Sequence, residues 1–131
     1  MREYLDEIVF AADPKAAVIV AGDLNDFPFP EPGEGEDPLR ILKGSGPTKL
    51  TNLIERVPDR ERYTFVFQGN SQVLDHVLVS DGLLKAVEDI DVATFNANYG
   101  LLYGQDPSTA ASSSDHNPPV LWLKQSRIKT K

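Results

Sequence analysis

Apolar residues recur at helical spacing near the N-terminus, at Leu5, Ile8, Val9 and Ala12, and the pattern stops at Pro14. That spacing predicts a surface helix over residues 2–12. The period then gives way to a continuous apolar run, AAVIVAG (16–22), which predicts a short strand covered on both faces. This strand delivers Asp23, Leu24, Asn25 and Asp26 at its C-terminal end. FPFPEPGEGEDP (27–38) is too rich in Pro, Gly and acid for anything but a loop. PLRILKGSG (38–46) and LTNLIERVP (50–58) each support one or two helical turns, stopped by Gly44 and Pro58. RYTFVFQ (62–68) and SQVLDHVLVS (71–80) are β-rich runs about a GNS return, as in a hairpin. AVEDIDVATFNA (86–97) alternates apolar and acidic residues as a strand does, and PPVLWLK (118–124) is a last strand with its prolines at the start, where they disturb least. Between them, GQDPSTAASSSD is small and polar, a second loop. One helix, short connectors and about five strands predict an α/β or α+β sheet covered by helices.

The chain of 131 residues suits a single domain and shows no internal repeat. No apolar run approaches the length of a membrane span, so no membrane partner is expected. The N-terminus lacks the basic start and small-residue cleavage site of a secretory signal. A net charge of −7 argues against a nonspecific coat on a polyanion, although carboxylates holding a divalent cation would invert the sign locally. With no cysteine, disulfides and thiolate zinc sites are excluded. The basic tail KQSRIKTK (124–131) reads as a solubilising end.

Four constellations carry potential chemistry. Asp23 and Asn25 stand at a strand terminus, where side chains of α/β folds converge on ligands, and equally where Asp and Asn shape turns. Asp75 is flanked by Val73, Leu74, Val77, Leu78 and Val79. Both faces of its strand should be covered, and a buried carboxylate calls for a fixed partner such as a histidine, or for backbone N–H donors. Asp115 and His116 leave a Ser-rich loop and meet an Asn-Pro-Pro entry that fixes the backbone. Thr64 is a strand former made interesting by its company, and His76 alternates to the face opposite Asp75 as a packing or rim residue. Hard oxygen ligands, a carboxylate to activate water and a histidine backed by a buried Asp suit metal-assisted phosphoester hydrolysis. Mg²⁺ is the expected cofactor, with Mn²⁺ or Ca²⁺ as alternatives, and zinc is disfavoured.

GDLND, YTF, LDHVLVS and SDHNP, in this order, resemble the C-terminal half of the endonuclease/exonuclease/phosphatase superfamily, and GDLNDFPF and ERYTFVFQGNSQVLDHVLVS look most like its bacterial extracellular nucleases. The resemblance implies an α/β fold, a portion of a four-layer α/β/β/α sandwich of the deoxyribonuclease-like type. It implies that Asp23 positions or deprotonates the attacking water and contacts the metal. Asn25 would orient phosphate and nucleophile, and Thr64 would lie near the phosphate. Asp75 would brace the catalytic His116, and Asp115 would bind the metal. Pro119 departs from the aliphatic residue usual after the SDHxP motif.

The superfamily domain usually has about 250 residues, and its N-terminal half brings an Asn, a metal-binding Glu and another His that have no match here. The chain is therefore expected to be one, partial domain over 1–131, with flexible loops at 27–38 and 104–114. It would be a metal-dependent nuclease whose partners are nucleic acid or another phosphoester and the N-terminal half, in the same or another chain. Alone it would be inactive, with a sticky exposed face that a homodimer could cover. A non-catalytic remnant or interaction domain is the alternative from another class, and a phosphatase on inositol, sugar or lipid phosphates the alternative within the enzymes. An extracellular or periplasmic location would follow only for the extracellular nuclease branch.

Overall fold

The computed structural model describes residues 1–29, 37–99, 106–109 and 113–128. The expected loops at 27–38 and 104–114, and the end of the basic tail, lie partly outside these residues. The described chain is a mixed α/β structure with seven short strands in three small antiparallel sheets. No helix among the described residues is long and apolar enough to cross a membrane.

The first helix forms where predicted but is wound more widely. After α1 (Arg2–Tyr4) it continues as a π-helical segment, Leu5–Phe10. Bonds from i to i+5 bring residues five apart onto one face, so Leu5 and Phe10 are the buried pair and Ile8, expected inside from a 3.6 period, is exposed. Strand β1 (Ile19–Asp23) follows. Helix α2 (Pro38–Lys43) starts on Asp37, whose carboxylate accepts from the Arg40 N–H at 2.8 Å, and stops at Gly44.

The central strand is β5 (Asp75–Ser80), hydrogen-bonded to β1 on one side and to β2 (Leu50–Asn52) on the other. Leu50–Asn52, read from sequence as part of a helical turn, is drawn into the sheet by its pairing with Leu78–Ser80, and only Leu53–Arg56 makes a tight 3₁₀ turn. Strands β3 (Phe65–Phe67) and β4 (Asn70–Gln72) form the expected hairpin. Gln68 and Gly69 both have positive φ, as a two-residue hairpin loop requires. The β-rich run 71–80 is thus divided between β4 and β5. After α3 (Asp81–Leu84), β6 (Val87–Val92) pairs with β7 (Pro119–Leu123).

Alternation along β5 sends Val77 and Val79 into one core with Leu53, Ile54, Val57, Leu83, Ile90 and Val92. Leu78 enters a second, under the N-terminal helix and α2, with Leu5, Phe10, Leu39 and Leu50. β5 is covered on both faces, as its sequence predicts. β1 is not: Val18 and Val20 pack on the helical core, but Ile19 is 46% exposed. It is an edge strand, paired with β5 on one side, and most of its residues are exposed among the described residues.

Candidate active site

The tip of β1 is shaped by Gly22 at φ +147°, a conformation that L side chains rarely adopt. Asp23 follows, and its Oδ1 accepts from the Asn25 N–H at 2.9 Å in a turn that holds Asn25 at φ +50°. The turn role weighed for Asp23 is therefore present, and it leaves both side chains exposed beside the sheet. Asp26 continues the loop: its Oδ2 accepts from Leu39 N at 3.0 Å, and its carbonyl accepts from His76 Nε2 at 2.8 Å. His76 is fully buried, and its Nδ1 accepts from Asn52 Nδ2 at 3.0 Å. It is a packing residue that ties the loop to the sheet, as its alternation suggests.

Register places Asp23 directly opposite Asp75, the first residue of β5. The partner of Asp75 is His116, whose Nδ1 donates to Oδ2 at 2.6 Å with both side chains mostly buried. A carboxylate only accepts, so Nδ1 carries the proton and Nε2 is the ring nitrogen left for a ligand. Phe65 stacks on the imidazole at 4.7 Å between centroids. Partial burial pulls the His116 pKa down, but the bond to Asp75 and the charges of Asp75, Asp115 and Asp23 outweigh it and raise the pKa above its ordinary value.

Thr64 is fully buried, and its hydroxyl accepts from the N–H groups of Leu74 at 3.0 Å and Asp75 at 3.1 Å. The structure gives this side chain the backbone of Asp75 as its partner. Asp115 is exposed, next to His116 in the chain. A cavity of about 410 Å³ opens between the β1 tip and the start of β7, lined by Ala21, Gly22, Asp75, Val77, His116 and Pro119 among others. Asp75 and His116 thus meet at one cavity with the β1 tip beside them, and Thr64 stands behind.

Asp23 and Asp115 offer hard oxygen donors of the kind Mg²⁺ takes. Among the described residues, however, no group of three or more His, Cys, Asp or Glu is arranged to hold a metal. The donor type fits a divalent cation, and the donor number falls short.

Sequence reasoning passed over three residues. Asn117, fully buried, accepts through Oδ1 from Asn96 N at 3.0 Å and Ala97 N at 2.9 Å, and its own N–H donates to the Thr64 carbonyl at 2.7 Å. Asn96 Nδ2 donates to the His116 carbonyl at 2.9 Å. Phe65 stands in the YTF motif, which gives it no role of its own. The available signal was an amide placed between His116 and two prolines, a position where the main chain runs short of donors.

Residues 1–116 match the model of the Endonuclease/Exonuclease/phosphatase family, and the chain belongs to that family. No curated protein and no solved structure gives a significant match. Membership implies phosphoesterase-type hydrolysis, typically with divalent metals, on a deoxyribonuclease-I-like fold.

Proposed function

We propose that this family member serves a divalent-metal-dependent phosphodiesterase, with nucleic acid as its substrate. The observation that carries this reading is the Asp75–His116 pair at 2.6 Å on a cavity beside the carboxylate tip of β1. A bound cation would neutralise phosphate charge and activate water, and Asp23 and Asp115 are the residues that would hold it.

The remaining steps belong to the chain's own side chains. Asp75 fixes the imidazole by its Nδ1 proton, so that Nε2, when protonated, donates to a phosphate oxygen or to the leaving oxygen. The raised pKa of His116 favours that protonated form. Asp23, opposite Asp75 across the sheet, accepts a proton from the attacking water, and Asn25 in the turn beyond it donates an amide hydrogen to the phosphate. Thr64 acts from behind, by holding the Asp75 backbone.

The shortage of metal donors among the described residues, and the open face of β1, support completion of the site by a further segment, in this or another chain, seated against that face. The isolated chain is therefore expected to cleave DNA or RNA negligibly in Mg²⁺. Together with any polypeptide encoded upstream, it is expected to cleave one of them, and His116→Ala to reduce the rate by about 10²–10⁴-fold. Robust cleavage by the isolated chain, lost in His116→Ala and Asp23→Ala, would overturn the need for completion. Binding of nucleic acid without turnover in either form would favour an interaction domain, which the same shortage of donors also suits.

A further inference from the structure

The main chain at His116 has an unusual difficulty. β7 begins at Pro119, which pairs with Val92 as the last step of the ladder, and Pro118 follows His116 by only two residues. Neither proline has an N–H to give, so the sheet can hold this stretch only through carbonyls, as Ala93 N does on Pro118 O at 3.0 Å. Beyond that point, among the described residues, no strand pairs with the His116 backbone.

Side-chain amides stand where ladder bonds would have been. Asn96 Nδ2 grips the His116 carbonyl at 2.9 Å, and Asn117 Oδ1 draws in the Asn96 and Ala97 N–H groups at 3.0 and 2.9 Å. Asn117 Nδ2 donates to Asn98 Oδ1 at 2.9 Å, and Asn98 in turn donates to the Tyr63 hydroxyl. The Asn117 N–H ends on the carbonyl of Thr64, the same residue whose hydroxyl holds the Asp75 N–H. Both members of the pair are thus referred to one fixed point. We propose that Asn96 and Asn117 are positioning residues that hold the His116 ring on Asp75, in place of the sheet hydrogen bonds that Pro118 and Pro119 cannot make.

This inference rests on the reading of Asp75 and His116 as the reacting pair. Its test is independent of turnover. Buried asparagines are costly unless fully bonded, and these two are 4% and 0% exposed, so loss of stability alone would not distinguish positioning from ordinary packing. The discriminating readout is the His116 Nδ1 proton, followed by nuclear magnetic resonance at one fixed pH in metal-free buffer.

In the unmodified chain it should appear as a far-downfield, exchange-protected resonance. Asn96→Ala, which removes one side-chain donor to His116 and leaves the backbone in place, should speed its exchange by about tenfold or more, and Asn117→Ala at least as much. Asn52→Ala is the control: it deletes an equally buried asparagine whose bond goes to His76, and it should leave the His116 resonance unchanged. A protected resonance that responds to all three variants alike, or to none, would overturn the proposal, as would its absence from the unmodified chain. Should Asn117→Ala not fold, Asn96→Ala against Asn52→Ala decides alone. Failure of the chain, together with the polypeptide encoded upstream, to cleave a phosphodiester alongside the expected pattern would refute the proposed reaction and leave the positioning role standing.

Discussion

His116 and Asp75 lie 41 positions apart in sequence and share one hydrogen bond, and that bond makes folding sensitive to pH. Burial lowers the histidine's pKa, but the hydrogen bond to Asp75 and the charges of three carboxylates outweigh it, so folding raises the pKa above its ordinary value of 6.5 and favours the protonated ring. The stabilisation is whole below that unfolded value and is lost as pH rises through the higher folded one. The stability gap between the native chain and Asp75→Asn, measured by urea denaturation without metal, should be widest in acid and narrow with rising pH. A gap that stays constant between about pH 5 and pH 9 would remove the charged pair from the account. Much of this was legible in sequence: Asp75 amid aliphatics demanded a partner, and only two histidines were available. The frame around His116 was not, because an Asn before Pro says that donors are scarce without saying which distant amide supplies them.

Each strand's environment follows from what covers it. β1 and β5 both read as buried runs in VIVAG and VLVS, yet only β5 has elements on both faces, because aliphatic content reports what a strand can bury and not its place in a sheet. The first helix teaches the same lesson, since a π-helical turn moved the buried position from Ile8 to Phe10 without changing a residue type. Mutation measures the difference directly. Ile19→Arg on the open face should change unfolding free energy by less than about 0.5 kcal/mol, whereas Leu53→Ala, at a site with no exposure, should cost about 2–5 kcal/mol. Equal costs in thermal or chemical denaturation would mean that β1 is covered in solution. The hairpin, by contrast, was announced by its GNS return, although the turn itself falls one residue earlier at Gln68-Gly69, and α2 by its Pro and Gly borders.

For the molecule as a whole, the two cores lie on opposite faces of β5, whose residues alternate between them. Phe10→Ala and Leu53→Ala, one in each core, should therefore lower stability additively, to within about 0.5 kcal/mol in a double variant. A larger coupling energy would show that the cores act as one. Family membership adds the class of chemistry, while the geometry adds which side chains meet. The edge position of β1 has a mechanical consequence. Asp75 sits on a strand restrained from both sides, whereas Asp23 hangs from one held along a single edge. On that account the Asp75–His116 side of the cavity is expected to be the stiffer one and the β1 tip, which carries Asp23, the more compliant.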